Sequence, residues 1–272
     1  MPSPPEPGPV FGRRILILIP HPDDEVAGVC AAIGRAKAAG ARVHGLYLTH
    51  GCLGREAMWP WERRRHAALV ARRRAEAEAG ASLLGLEPAG WSARPARQLW
   101  RELPDAEAEA RAAIARLGVD QLWAPAFEGG NPDHDGASAL AARLARDGLP
   151  VLEFAEYNLA GGRAHSQTFP VANNTETVLA LTPQEQAQKR RALRLYVSER
   201  SNLGYVGTAE ERLRPLAPYD YSRPPHAGTL WYARFQWVPF AHPRVDFTRP
   251  DEVAAALVAY LGEGASSPLR AS

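Results

Sequence analysis

The segment Arg13 to Pro20, RRILILIP, constrains this chain most. A short run of leucine and β-branched isoleucine without polar alternation suits a strand buried on both faces, as in a parallel sheet. Glu25 to Ala39 follows as a predicted helix, closed by Gly40 where a C′ glycine is expected, and Arg42 to Thr49 (RVHGLYLT) is a second strand. Strand, helix and strand in immediate succession make a βαβ unit.

The alternation continues down the chain. Trp61 to Leu84 has helical composition and closes at Gly85, and Asp105 to Leu117 is a helix N-capped by Asp105 and closed by Gly118. Asp120 to Ala126 (DQLWAPA) is expected as a strand, Ser138 to Arg146 as a helix and Val151 to Tyr157 (VLEFAEY) as a strand. The expected fold is α/β: a Rossmann-like, mostly parallel sheet with helices on both faces. Beyond it, Leu159 to Leu181 is polar and weakly periodic, as a lid or rim would be. Thr182 to Ser198 is a helix with Thr182 as N-cap, Pro183 at its first position and Glu185 near the positive end of the dipole. A Pro/Tyr/Arg-rich stretch, Arg214 to Pro225, precedes Gly228 to Phe240 (GTLWYARFQWVPF), which is expected to form one or two antiparallel strands, and Asp251 to Leu261 closes as a helix. The chain therefore divides into a flexible leader (1–12) and one domain (13–272), with a catalytic core at 13–157 and a variable rim and C-terminal extension at 158–272.

Composition decides between function classes only by exclusion. At 46% apolar and 23% charged the chain is that of a globular protein. The formal charge of +2 rests on arginine, with only Lys37 and Lys189 as lysines, and most Arg-rich stretches also carry Glu or run at helical spacing. That pattern reads as composition bias, and no nucleic-acid partner is expected. Cys30 and Cys52 give neither a disulfide framework nor a cysteine zinc motif. The apolar run Ile15 to Ile19 is too short to span a bilayer, and Met1 to Pro9 lacks the regions of a secretory signal. A cytoplasmic location without a membrane span is expected; oligomeric state is not legible.

Chemistry gathers where the predicted strands end. Pro20-His21-Pro22-Asp23-Asp24-Glu25 follows the first strand, on the rim where open α/β sheets bind ligands. On such a turn one carboxylate can join His21 on a metal while its neighbour stays free as a base. The plainer reading is a turn in which Asp23 or Asp24 caps the next helix. A second cluster, Phe127-Glu128-Gly129-Gly130-Asn131-Pro132-Asp133-His134-Asp135, follows another strand and faces the same rim. His21, Asp24 and His134 together give a two-histidine, one-carboxylate set with room for water, the composition of a catalytic zinc site.

With these motifs in view, the chain resembles the PIG-L or LmbE-like family of zinc-dependent N-acetylglucosaminyl deacetylases. PHPDDE matches throughout, GGNPDHD in all but one position, Thr49-His50-Gly51 resembles the family's Thr-x-Gly, and Arg73-Arg74-Ala75-Glu76 with Leu84-Gly85 resembles its Arg-x-x-Glu helix. The resemblance covers about residues 13 to 157. It implies His21, Asp24 and His134 as metal ligands and Asp23 as general base toward a metal-activated water. The implied reaction is hydrolysis of an acetamide or other N-acyl group on an amino-sugar-containing small molecule. Zn2+ is the implied cofactor, and such a donor set also takes Fe2+ or other divalent ions.

One departure bears on mechanism. Asn131 stands where many family members carry a histidine that assists as an acid or stabilises the tetrahedral intermediate; asparagine can donate a hydrogen bond but not a proton on that scale. His226 and His165 are candidate replacements. Arg73 is a candidate for binding substrate, or pairs with Glu76; Glu128 is placed to orient a ligand histidine. His50 and Tyr157 are candidate lining residues, and Trp59, Trp61, Trp231 and Trp237 are candidates for stacking on a sugar or for core packing. Two alternatives stay open on this sequence: a hydrolase of a non-sugar amide or ester on the same metal site, and a catalytically impaired binding homologue in which Asn131 marks lost activity. The βαβ start alone would also suit a nucleotide-binding oxidoreductase, but no G-x-G-x-x-G follows the first strand.

Overall fold

The structure, a computed structural model, describes residues 10–240, 242 and 245–262. Residues 1–9 of the expected leader lie outside the described residues; Phe11 packs on the Trp123 ring and the Gly12 N–H donates to Gln121.

Strands β1 (Arg14–Ile19), β2 (Arg42–Tyr47), β3 (Glu87–Trp91), β4 (Gln121–Pro125) and β5 (Val151–Phe154) alternate with helices α1 (Asp24–Ala38), α2 (His66–Leu84), α3 (Leu103–Leu117) and α4 (Pro132–Ala145). A short hairpin, β6 (Tyr157–Asn158) and β7 (His165–Ser166), leads to β8 (Thr177–Ala180), α5 (Pro183–Leu193), β9 (Glu210–Pro215) and α6 (Pro250–Gly262). The main sheet has seven strands in the order β3-β2-β1-β4-β5-β9-β8; the first five are parallel, and β9 and β8 extend it antiparallel.

β1 shows why its sequence forms a central strand. Ile15, Ile17 and Ile19 enter the core on one face and Leu16 and Leu18 the core on the other, and all five are fully buried. With both faces covered by helices, no polar alternation is left to see. From β1 the chain moves outward to β2 and β3, then returns to β1's other side at β4. Between β1 and β4 lies the point where strand order reverses, and the crevice outside their carboxyl ends is where such sheets bind ligands.

Three strands of the main sheet were not anticipated, nor was the short hairpin strand β7. β3 contains Pro88 and Gly90, which weaken a strand pattern but are tolerated at a sheet edge. β8 and β9 lie near the opposite edge, β8 half-exposed and β9 carrying charged residues among its buried positions, so neither shows an apolar run. Gly228 to Phe240, in contrast, forms no strand. Leu230 and Tyr232 are both buried, but the backbone between them turns at Trp231–Ala233, so the i, i+2 spacing arises from a turn. Helix ends moved as well. α3 starts at Leu103, with Asp105 inside the first turn rather than at the cap, α4 starts at Pro132, and α5 ends at Leu193.

Helix α1 is interrupted at Val29 (φ −138°, ψ 25°). Glu211 accepts the backbone N–H groups of Ala31 and Ala32 beyond the break and forms a fully buried pair with Lys189 at 3.0 Å, while Gln167 donates to the carbonyl of Ala27 before it. The first turn of α1 is thereby a separate platform.

At α5, Thr182 and Glu185 form a reciprocal capping box, and Arg35 bonds Glu185 at 2.8 Å. Arg35, against the opposing effect of burial and with help from Thr182, holds the Glu185 carboxyl down at about 2. Its contribution to stability is therefore present above the ordinary value of 4.5 and is lost as pH falls through about 2. Glu185→Gln is expected to lower the melting temperature at pH 7 and to narrow its gap to wild type as pH falls from 4.5 towards 2; a gap independent of pH would count against this assignment.

Candidate metal centre

The β1–α1 loop supplies His21, Asp23 and Asp24, and the β4–α4 loop and first turn supply Asn131, Asp133 and His134, on the two sides of the switch point. His21 Nδ1, Asp24 Oδ2 and His134 Nε2 form a nearly equilateral triangle with sides of 3.3, 3.4 and 3.3 Å. A tetrahedral zinc with bonds of about 2.0–2.1 Å spaces its ligand atoms by roughly 3.3 Å, so the triangle fits one face of that polyhedron. All three residues are buried, and among the described residues they are the group of histidine, cysteine and acid side chains placed to hold an ion.

Charge gives a second test of that fit. Asp23, Asp24, Glu25, Glu128, Asp133, Asp135 and Glu156 are all buried around these loops. Burial pushes Asp135 and Glu25 up to about 7 and Glu156 well above the carboxylate range. His21 behaves oppositely: burial disfavours its charged form, yet Asp133 and Asp24 outweigh that and carry it up to about 10. Against the same burial, His134 and His21 hold Asp24 well below the ordinary range. The site is built for positive charge, which a divalent cation would supply.

Asp133 orients the triangle. Its Oδ2 lies 3.0 Å from His21 Nε2, leaving Nδ1 for the ion, and the carboxylate is itself fixed by the backbone N–H groups of Arg97 and Leu99. A carboxylate on the far nitrogen of a ligand histidine sets its tautomer and raises its basicity. This role was expected of Glu128, which instead accepts the backbone N–H groups of Glu156 and Tyr157 and braces the loop after β5. Asp133 sits in the second motif directly before His134, and that position is the signal that could have found it. His134 Nδ1 is buried without a hydrogen-bond partner among the described residues; its ring stands edge-on to Tyr157.

Asn131 caps α4, its Oδ1 accepting the Asp133 N–H at 2.9 Å. Because Oδ1 serves the cap, the amide nitrogen is the part left to act as a donor. Tyr157 is packed by Tyr205 and Trp231, two rings outside the motifs that only the folded chain brings here.

Asp23 adopts φ 130°, a region that costs a non-glycine residue about 1–3 kcal/mol and persists only where its surroundings enforce it. Glu25 accepts its backbone N–H at 3.1 Å, and Arg73 Nη1 lies 3.2 Å from its Oδ2. Burial raises the Asp23 carboxyl to about 7, with Arg73 pulling the other way. Arg73, expected to bind substrate or Glu76, is only 2% exposed and bonds Asp23, the Pro22 carbonyl and Glu199, while Glu76 pairs with Arg72.

His50, His165 and His226 each bond backbone groups. His50 Nδ1 accepts the Cys52 N–H in the turn after β2, and His165 bonds the Ala160 carbonyl in the hairpin. His226 bonds the adjacent Ala227 carbonyl; Pro225, beside it, packs over Gly129. Trp59 and Trp61 stack on each other at 5.1 Å, and Trp237 is 77% exposed.

Residues 16–145 match the family described as PIG-L, GlcNAc-PI de-N-acetylase. No curated protein sequence matches the chain. Among solved structures, a deacetylase of the teicoplanin biosynthesis pathway is similar with a TM-score of 0.58 at 19% identity, covering 74% of this chain and 97% of its own. The A40926 pseudoaglycone deacetylase Dbv21 is similar with a TM-score of 0.58 at 19% identity, covering 76% and 99%. A zinc-inhibited form of the teicoplanin deacetylase Orf2 is similar with a TM-score of 0.55 at 17% identity, covering 74% and 97%. At these identities the likeness is one of fold.

Asp133→Asn removes the negative charge and turns one of the two accepting oxygens into a donor, so that His21 Nε2 and the Arg97 and Leu99 N–H groups can no longer all be accepted. It is expected to weaken zinc binding roughly ten- to a hundredfold, measured by competition with a chromogenic chelator. An unchanged affinity would deny Asp133 that role.

Proposed function

We infer from the membership of residues 16–145 in the PIG-L family that this chain is a metal-dependent N-deacetylase, and we propose that it removes an acetyl or other N-acyl group from an amino-sugar-containing small molecule. The observation that carries this reading is the His21, Asp24 and His134 triangle with the Asp23 carboxylate beside it. The amino-sugar substrate rests on the match to the GlcNAc-PI de-N-acetylase family, together with the deacetylases that share the fold.

A divalent metal on His21, Asp24 and His134 would supply Lewis acidity that makes water nucleophilic near neutral pH. Zinc suits the donor set, and Fe2+ is the natural comparison, since one solved relative is described as zinc-inhibited. The protein's own residues do the rest. Asp23 takes the proton of the attacking water as its oxygen bonds to the amide carbonyl carbon. Asp23 then returns that proton to the nitrogen as the carbon–nitrogen bond breaks, leaving a carboxylate and an amine. Asn131, with its amide nitrogen free of the helix cap, donates a hydrogen bond toward the developing oxyanion, an interaction of about 3 kcal/mol for a side-chain donor. Arg73 contributes indirectly, by holding Asp23.

Release of acetate from N-acetylglucosamine conjugates tests this directly, with acylated polyamines and esters as competing substrates. Metal-loaded protein is expected to turn over an amino-sugar conjugate, to lose activity with a chelator and to regain it with Zn2+ or Fe2+. Asp23→Asn is expected to lower kcat on the order of 10²–10⁴-fold with metal still bound. Full activity in that variant, or in metal-free protein, would refute the mechanism; turnover of the polyamines or esters alone would refute the substrate class.

A further inference from the structure

The turn after α5, residues 196–199, reaches the surroundings of Asp23 at three points. The Tyr196 hydroxyl donates to Glu25 Oε1, and Glu25 Oε2 accepts the Asp23 backbone N–H at 3.1 Å. Ser198 donates through its N–H and its hydroxyl to Glu76, which lies on α2 close to Arg73. Glu199 Oε1 lies 3.2 Å from Arg73 Nη1, the same nitrogen that lies 3.2 Å from Asp23 Oδ2. Asp23 is thus gripped at its backbone through Glu25 and at its carboxylate through Arg73, and both grips end on one turn. That turn lies outside the segment matching the family model.

Local packing is consistent with a purpose-built contact. Gly80 sits inside α2, and a Cβ there would lie 2.4 Å from the Tyr196 hydroxyl oxygen. Tyr196 is fully buried, and its partner oxygen on Glu25 also lies 3.4 Å from the Tyr47 hydroxyl. Two phenols therefore converge on the carboxylate that holds the Asp23 amide in its left-handed conformation.

We propose that residues 196–199 are a positioning device for Asp23. Tyr196 fixes the Asp23 backbone through Glu25, and Glu199 fixes the direction of its carboxylate through Arg73. The inference rests on reading Asp23 as the base.

The test compares metal-loaded wild type with Tyr196→Phe, Gly80→Ala and Glu199→Gln, using hydrogen exchange of the peptide spanning residues 20–28 together with steady-state kinetics. Tyr196→Phe is expected to speed exchange at that peptide and to lower kcat on the order of tenfold to a hundredfold, with KM and metal content unchanged. Gly80→Ala is expected to reproduce this, and the double variant to be no slower than either single one. Glu199→Gln is expected to lower kcat without changing exchange. Unchanged exchange and kcat in Tyr196→Phe would overturn the proposal, as would an equal fall in the residual rate of Asp23→Asn, which would mark general loosening. If metal-loaded wild type releases no acyl group from any substrate, the functional reading fails and the exchange result alone decides whether Tyr196 holds residue 23.

Discussion

The crevice between β1 and β4 is the constraint on which the rest depends. Parallel strands that neighbour each other deliver their following loops to the same rim, and at the reversal of strand order no crossover helix fills the gap. Loops that are distant in sequence, after Ile19 and after Pro125, are thereby brought within bonding distance, so that His21 and His134 approach to 3.3 Å. Such an approach of two imidazole nitrogens and a carboxylate oxygen is unfavourable without positive charge between them.

Burial then divides the labour among carboxylates that sequence alone leaves equivalent. Asp24, facing two histidines, is held as an anion, while its neighbour Asp23 is pushed toward neutrality by the same burial. Asp133 is kept in place by backbone donors and a histidine, and Glu128 by two backbone amides. What distinguishes these acids is the set of donors around each one, which follows from tertiary structure rather than from residue type.

That distinction explains what could be read in advance. The parallel core was legible because Ile15 to Ile19 and Gln121 to Pro125 carry their burial in their composition. The three members of the triangle were legible because they follow those strands directly. Glu128 and Asp133 could not be told apart, since both are acids flanking the same motif and only the approach of His21 from another loop selects Asp133. The role of Arg73 was hidden similarly: its partner Asp23 is 50 residues away in sequence. Strands β8 and β9 escaped because sheet edges need little apolar sequence, and the aromatic turn at Trp231 imitated a strand because its buried residues are two apart.

Residues beyond 157 were expected to form a rim, and the bonds they make give them a deeper place. Gln167, Lys189, Tyr196 and Glu211 all reach the first half of α1, directly or through one another. The glycines of the helices carry the mark of this packing. Gly80 sits in the interior of α2, where glycine costs about 1 kcal/mol relative to alanine, and Gly28 lies just before the break in α1. A Cβ at Gly28 would lie 2.4 Å from the Phe154 ring, and one at Gly80 would lie equally close to the Tyr196 hydroxyl. Glycine inside a helix is therefore a record of what presses on it, and here those neighbours are the strand and the turn that fix the platform of Asp23 and Asp24. The first half of α1 and the C-terminal half are thus joined by buried hydrogen bonds, and a change far along the chain can reach the surroundings of Asp23 without touching any motif.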